Sequence, residues 1–140
     1  MKKVAVVFWS GTGNTETMAD AVAKGAQAAG ASVSKIAASD FNASNVDSFD
    51  AIAFGCPAMG SEQLEDGEFE PMFDSVKGSL TGKSIALFGS YGWGDCEWMR
   101  NWEDDCKAVG AILACDSVTV NEAPDDSAIE ACKALGAALA

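Results

Sequence analysis

The segment that decides the fold is KVAVVFWSGTGNT, residues 3–15. Residues 3–9 are almost all apolar, which is typical of a strand buried on both faces of a parallel sheet. A turn rich in glycine and hydroxyl side chains follows directly. Residues 14–29 then carry apolar side chains at helical spacing, and Gly30 supplies a C-terminal stop. The segment therefore predicts a strand, a tight turn and a helix in succession.

The rest of the chain repeats this alternation of strand and helix. Further strands are predicted over residues 32–37, 51–55 and 84–89, and a fifth over about 111–120. Such a pattern predicts one α/β domain, residues 1–140, with a doubly wound five-stranded parallel sheet. The expected strand order is 2-1-3-4-5, with helices on both faces.

Two apolar stripes at helical spacing predict helices between the later strands. They consist of Phe69, Phe73 and Val76, with Pro71 tolerable only near the start, and of Trp98, Met99, Trp102, Cys106 and Val109. A last helix is predicted over about 127–139, where Ser127 and Glu130 have the spacing of a capping box. The predicted core positions include Trp102, Cys106, Cys115 and Cys132.

Composition and charge exclude several classes of protein. The five cysteines form no CxxC pair and histidine is absent, so no zinc or iron–sulfur site and no metal is predicted. The net charge of −12 disfavours nucleic acid and anionic membranes and favours basic protein partners. The longest apolar run, residues 4–9, is too short to span a bilayer and ends before any signal-peptide cleavage site. A cytoplasmic protein is therefore expected.

In such a sheet, ligands bind beyond the carboxyl ends of the strands, near the switch between strands 1 and 3. The first loop there, residues 10–15, combines glycines, three hydroxyl side chains and a helix N-terminus. These groups predict a phosphate cradle that has no cationic side chain. A Walker loop would need lysine where Asn14 stands, and a dinucleotide fingerprint would need glycine where Glu16 stands. An ordinary glycine-rich turn is the alternative.

Two further loops follow the third and fourth strands. In residues 56–62, Met59 offers a polarisable thioether to a flat ring, and Gly60 allows positive φ. Taken alone, this loop is equally typical of a structural segment. In residues 90–94, Trp93 stands between glycines, where it provides a stacking surface or folds back onto the domain.

Together the three loops resemble those of the flavodoxins. Residues 10–15 match the pattern Ser/Thr-x-Thr-Gly-x-Thr, with Trp9 beside it. Residues 57–62 and 90–94 are similar to the two flavin-ring loops of short-chain flavodoxins from anaerobic bacteria. The resemblance covers the whole chain in order and spacing. It implies one non-covalently bound FMN, with its phosphate on the first loop.

The resemblance also implies individual roles. Trp93 would stack on one face of the isoalloxazine ring, and Met59 would lie near the other. Glu62 would accept a hydrogen bond from flavin N3–H. The peptide between Met59 and Gly60 would reorient on one-electron reduction, so that its carbonyl accepts a hydrogen bond from N5–H. The resemblance implies no role for Asp95 or Cys96, which follow the third loop.

The residues expected to bind FMN come from these three loops. They are Trp9, Ser10, Gly11, Thr12, Gly13, Asn14, Thr15, Pro57, Ala58, Met59, Gly60, Glu62, Ser90, Tyr91, Gly92, Trp93 and Gly94. No catalytic residue is expected.

The function implied is that of a monomeric, low-potential one-electron carrier with no substrate turnover of its own. It would shuttle mainly between semiquinone and hydroquinone, serve basic redox partners and be able to stand in for ferredoxin. Acidic residues near the loops would oppose the negative charge of the hydroquinone. They are Glu62, Glu65, Asp66, Glu68, Asp95 and Glu97.

Four alternatives differ in what they require. A flavin-dependent NAD(P)H:quinone reductase on the same fold would usually need extra segments. A phosphoacceptor domain would need carboxylates where strands 1 and 3 end, and a low-molecular-weight phosphatase would need arginine six residues after a cysteine; both requirements fail here. A purely structural or binding module would purify without colour and take up no FMN.

Overall fold

The computed structural model describes residues 2–11, 13–59, 63–92 and 94–140. Its strands are β1 (Lys3–Phe8), β2 (Ser32–Ala37), β3 (Ala51–Gly55), β4 (Ser84–Tyr91), β5 (Ile112–Leu113) and β6 (Val118–Asn121). All pairings are parallel, in the order β2-β1-β3-β4-β5, and β6 also pairs with β4. The predicted order is confirmed. The first strand ends one residue earlier than predicted, at Phe8, and β4 runs two residues further, to Tyr91.

The fifth strand differs from its prediction as one continuous element. β5 pairs with the start of β4 through Leu113 and Ile85, whereas β6 pairs with its end through Val118 and Phe88. Leu113 and Val118 are five positions apart in the sequence, whereas their partners in β4, Ile85 and Phe88, are three positions apart. The chain between β5 and β6 therefore contains two residues more than the facing part of β4. The sequence does not indicate this insertion, because β5 and β6 both contain partly buried and exposed residues and so show no difference in apolar pattern. It brings the end of β6 beside Tyr91, at the ligand edge of the sheet.

The helices are α1 (Asn14–Ala28), α2 (Ala43–Val46), α3 (Phe69–Val76), α4 (Glu97–Ala108) and α5 (Asp126–Leu139). The short α2 was not predicted, since four residues carry no periodic stripe. The predicted capping box of the last helix is wrong. Asp125 is the N-cap, and its carboxylate accepts a hydrogen bond from the Ala128 amide at 2.8 Å. The Asp125 carboxylate therefore provides the N-terminal cap that was expected from Ser127.

Two apolar clusters cover the two faces of the sheet. Successive residues of β1, β3 and β4 alternate between them, as the pleat requires. The first cluster includes Phe54, Phe73 and Trp102 and packs under α3 and α4. The second contains the apolar faces of α1 and α5, and here the sheet contributes mostly alanine and valine. Small side chains on this face let the two helices lie close to the strands.

The cysteines behave as small apolar residues. Cys106 and Cys132 are fully buried as predicted, and Cys115 is half-buried. All five are free thiols. Within the described residues, no group of cysteine, aspartate or glutamate side chains could hold a metal ion. None of the helices in this part of the chain has the length and apolar character needed to cross a membrane.

Candidate functional site

A cavity of about 360 Å³ opens where β1, β3 and β4 end. This volume lies in the range of sites for small molecules. The lining residues come from the three predicted loops and one further position. They are Trp9, Ser10, Gly11, Asn14, Thr15, Pro57, Ala58, Met59, Ser90, Tyr91, Gly92 and Glu122. The topology thus brings together loops that are up to 80 residues apart in the sequence, because parallel strands end at one edge.

Six other predicted positions are not among these lining residues. Gly13 and Gly94 adjoin the cavity in sequence, and both have the positive φ that favours glycine, at 98° and 91°. Thr12, Gly60, Glu62 and Trp93 lie outside the described residues.

The first loop presents free donors at the head of α1. The Ser10 hydroxyl oxygen accepts hydrogen bonds from the amides of Gly13 and Glu16, at 3.1 and 3.2 Å. The amides of Asn14 and Thr15, in the first helical turn, have no acceptor among the described residues. Both amides stand at the positive end of a 15-residue helix. This geometry suits a bound anion.

A pair of hydroxyl groups joins the first loop to the third. Thr15 is buried, and its Oγ1 lies 3.1 Å from Ser90 Oγ. Within this pair only one hydroxyl needs to donate, so the proton of the other is available to a ligand. No lysine or arginine lines the cavity, and Glu122 is its only charged residue in the part of the chain described. An anion bound in this cavity would therefore be held by amide and hydroxyl donors of the described residues and not by lysine or arginine side chains.

The second loop is closed by a pair of backbone hydrogen bonds. The Met59 amide donates to the Gln63 carbonyl at 2.8 Å, and the Gln63 amide donates to the Met59 carbonyl at 3.0 Å. Before this pair, the Ala58 amide donates to the carbonyl of Ser90 at 3.0 Å. The loop is thereby fixed to the end of β4 on one side.

On its other side, this loop is held by a buried thiol and a buried carboxylate. The Glu65 amide donates to Cys56 Sγ at 3.3 Å. Burial raises the pKa of the Cys56 thiol to about 12, against the opposing effect of this hydrogen bond. The sulfur therefore stays protonated and donates to the Pro57 carbonyl at 3.5 Å. The thiol acts as a structural group.

The Glu65 carboxylate caps α3. Its two oxygens accept hydrogen bonds from the amides of Gly67, Glu68 and Phe69, at 2.7, 2.7 and 2.8 Å. Burial raises the pKa of the Glu65 carboxyl, but these amide donors outweigh that effect and hold the pKa below its ordinary value. The sequence groups Glu65 with acids near the flavin ring, whereas the structure uses its charge at a helix N-terminus.

Acid should remove the stabilisation that Glu65 provides. Since its folded-state pKa lies below the unfolded one, the ionised carboxylate stabilises the fold above the unfolded value, about 4.3, and this stabilisation is lost as the pH falls through the folded value. The neighbouring acids are Asp66, Glu68 and Glu70. Urea titrations of wild type and Glu65→Gln should differ most near neutral pH, and the difference should shrink as the pH falls through the folded-state pKa of Glu65. A difference that does not change with pH over the whole acid range would contradict this role of the carboxylate.

The third loop continues the end of β4. Tyr91 packs against Trp98 with ring centroids 5.7 Å apart, and the Trp98 indole N–H donates to the Cys56 carbonyl at 3.3 Å. Cys96 has a positive φ of 71° and is the N-cap residue of α4. Its thiol raises the pKa of the Tyr91 hydroxyl. The wall formed by β4 is thus tied to both the second loop and α4.

Glu122 is the lining residue that the sequence did not identify. It follows β6 with a positive φ of 64°, and its amide donates to the Tyr91 carbonyl at 2.8 Å. The prediction ended the fifth strand at about residue 120 and treated what followed as a connection. The available signal was topological, because the residue after the last parallel strand must reach the same edge as the other three loops.

Fold and site together define a small α/β protein with a ligand-sized cavity at the switch point of a doubly wound sheet. Comparison with known proteins identifies the family. The flavodoxin family profile matches residues 6–136. The flavodoxin of Megasphaera elsdenii is 47% identical over 98% of both chains, and that of Clostridium beijerinckii is 43% identical over 87% of this chain and 88% of the other. The chain belongs to the flavodoxin family.

Solved structures agree with this assignment. The solution structure of two-electron reduced Megasphaera elsdenii flavodoxin superposes with a TM-score of 0.90 over 97% of both chains. Oxidised flavodoxin 1 from Bacillus cereus, 29% identical, gives 0.86 over 98% of this chain and 96% of the other. As a flavodoxin, the chain binds FMN and carries electrons to and from redox partner proteins. It is not an enzyme with its own substrate, and the quinone-reductase alternative is not favoured.

Proposed function

We propose that FMN occupies this cavity with its phosphate at the head of α1, and that the protein works as a low-potential one-electron carrier. The observation that supports the proposal is the neutral cradle: among the described residues, the Asn14 and Thr15 amides have no acceptor, and no lysine or arginine lines the cavity. When bound, FMN supplies reversible uptake of one or two electrons. The cavity residues bind it, orient it and exclude water.

Each loop has its own part in this proposal. The first holds the phosphate through amide and hydroxyl donors. The aromatic and apolar walls formed by Trp9, Met59 and Tyr91 suit a flat ring. Thr12, Gly60, Glu62 and Trp93 keep the roles that the sequence assigns to them, with Trp93 stacked on the ring and Glu62 accepting from N3–H. Gly13 shapes the turn, while Gly11, Gly92 and Gly94 allow close approach of the backbone.

The negative charge of the protein supports the low potential. A second electron places a negative charge on the ring, in a protein of net charge −12. Glu122 adds a carboxylate on the cavity wall itself. We expect the carrier to work mainly between its one-electron-reduced and fully reduced forms, and to be able to replace ferredoxin.

The remaining expectations are part of the same proposal. Residues 1–140 form one domain, supported by the fact that every described strand joins a single sheet. The protein is cytoplasmic and monomeric, and its redox partners present basic surfaces that complement the charge of −12. Reduction by a basic reductase should therefore slow as ionic strength rises.

The direct test is the colour of the purified protein. We expect a yellow protein whose apo form quenches the fluorescence of added FMN with one-to-one stoichiometry. Stepwise reduction with dithionite should then resolve two separate one-electron steps. Material without a yellow chromophore that leaves added flavin fluorescent would refute the proposal.

Replacing Gly60 with alanine should lower the first one-electron potential. The reoriented Met59–Gly60 peptide requires positive φ, which costs a residue with a Cβ about 1 kcal/mol, or about 40 mV for one electron. Potentiometric titration measures the change, and Gly78→Ala, at an exposed position remote in sequence, is the control. An unchanged first potential in Gly60→Ala would count against reorientation of the peptide.

A further inference from the structure

Glu122 places a carboxylate on the wall of the cavity, and the described part of the chain gives this group nothing to bind. It is the only charged residue among the described residues that line the cavity. Its carboxylate accepts no hydrogen bond and forms no ion pair within the described residues. Because an ionised carboxylate can only accept hydrogen bonds, it suits a ligand that presents hydrogen-bond donors at this position.

The backbone holds Glu122 in a conformation that a residue with a Cβ rarely adopts. Its φ of 64° lies in the left-handed region, and side chains held there are concentrated at functional sites. The Tyr91 carbonyl fixes this conformation, since it accepts hydrogen bonds from the Glu122 amide at 2.8 Å and from Asn121 Nδ2 at 3.3 Å. The Cys96 thiol also joins β6 to the start of α4, by donating to the Thr119 hydroxyl at 3.7 Å. The point from which the carboxylate extends is therefore fixed by the fold.

The carboxylate lies between the two ends of the cavity. At the proposed phosphate end, the Ser90 hydroxyl lies 3.1 Å from that of Thr15. From Ser90 the chain runs through Tyr91 and Gly92 into the third loop, which is proposed to contact the ring. The Glu122 amide is bonded to Tyr91, and a Cβ built on Gly92 would stand 3.8 Å from Glu122 Oε1. The carboxylate thus lies beside the stretch of wall that separates the proposed phosphate and ring positions.

In FMN, a ribityl chain joins the phosphate to the ring and carries hydroxyl groups that can donate hydrogen bonds. The phosphate itself would repel a carboxylate, and the proposed function assigns the ring N3–H to Glu62. We propose that Glu122 is a specificity-determining residue for the ribityl chain, and that its carboxylate accepts hydrogen bonds from the ribityl hydroxyl groups. The inference rests on the proposed function, because it concerns the cofactor that is proposed to occupy this cavity.

The test compares two neutral flavins that differ in this chain. Riboflavin carries the ribityl chain, whereas lumiflavin has a methyl group in its place. Neither has a phosphate, so a change in the charge of the protein affects the two ligands alike. Fluorescence titration of the apoprotein gives both dissociation constants, and their ratio reports the contribution of the ribityl chain to binding.

We expect Glu122→Ala to weaken riboflavin binding by about 10- to 100-fold and to leave lumiflavin binding unchanged, because a hydrogen bond to a charged acceptor is lost. Glu122→Gln retains a neutral acceptor and should weaken riboflavin binding by only about three- to tenfold. Asp126→Asn is the matched control, since it removes an exposed carboxylate four positions away on α5. It should leave both dissociation constants at the wild-type values.

Circular dichroism establishes that each variant is folded, and Glu122→Gln carries the test alone if Glu122→Ala fails to fold. Riboflavin binding that stays at the wild-type strength in the Glu122 variants would overturn the inference. Equal weakening of riboflavin and lumiflavin would also overturn it, by assigning the effect to the ring or to the cavity wall. The same would follow if Asp126→Asn reproduced the loss. A wild-type protein that binds no FMN would instead refute the proposed function, so the two failures are distinguishable.

Discussion

Thr15→Val should weaken FMN binding by about 10- to 100-fold while riboflavin binding changes little. Thr15 is buried in the first turn of α1, and its hydroxyl lies 3.1 Å from that of Ser90 on the cavity wall. A hydrogen bond from this pair to a charged phosphate is worth about 1.5–3 kcal/mol, and about 1.4 kcal/mol is tenfold in affinity. Riboflavin lacks the phosphate. The ratio of its dissociation constant to that of FMN therefore isolates the contribution of this hydrogen bond to phosphate binding. Fluorescence titration of the apoprotein measures both constants.

Thr17→Val is the matched control for this prediction. Thr17 lies on the same helix but is exposed, and its hydroxyl donates to the Gly13 carbonyl at 3.0 Å. It should leave the ratio of the two affinities at the wild-type value. If Thr15→Val weakens FMN and riboflavin equally, the hydroxyl supports the cavity wall and does not contact the phosphate.

Gly136→Ala should cost about 3 kcal/mol of unfolding free energy or more and lower the Tm by about 10 °C. A Cβ at this position of α5 would stand 2.0 Å from the Val22 carbonyl oxygen and 2.9 Å from the Ala26 nitrogen, both on α1. These are backbone atoms, so relief requires the two helices to separate. Separation would also disturb the apolar cluster between them and the sheet. Urea denaturation followed by circular dichroism gives the loss directly.

The contact between these helices is reciprocal, which provides a second variant. A Cβ on Gly25 would stand 2.0 Å from the Lys133 carbonyl oxygen. Gly25→Ala should therefore be about as destabilising as Gly136→Ala, and the double variant should cost less than the two losses together, because one separation relieves both clashes. Gly78→Ala is the control, since nothing lies within 4 Å of a Cβ there; its effect should stay within about 1 kcal/mol. A loss below about 1 kcal/mol in Gly136→Ala would show that the helices are not held in this contact.

Several features were predictable because their signal is local. Burial on both faces gives β1, β3 and β4 their continuous apolar runs, so their bounds differ from prediction by two residues at most. The loop at residues 10–15 was recognisable because a phosphate cradle needs glycine, hydroxyl groups and a helix start within a few positions. Parallel topology then placed two more loops at the same edge.

Other features depend on partners that no local pattern specifies. The cap of α5 belongs to Asp125, not Ser127, because backbone conformation decides which side chain reaches the first turn. Glu122 reaches the cavity because two extra residues in the ladder split the last strand into β5 and β6. Glu65 appears in the sequence as one more acid among many. Only the folded chain aligns its oxygens with three amides.

By itself, the sequence determined the alternation of strands and helices, their order in the sheet and the three loops that meet at its edge, since burial patterns and turn chemistry act over a few residues. The tertiary structure alone decided the break in the last strand, the placement of Glu122 and the hydrogen bonds that join Met59 to Gln63 and Glu65 to α3. Those features arise from register and from hydrogen bonds between groups on different elements. These interactions form only when the elements are packed against one another, so no local stretch of the sequence predicts them.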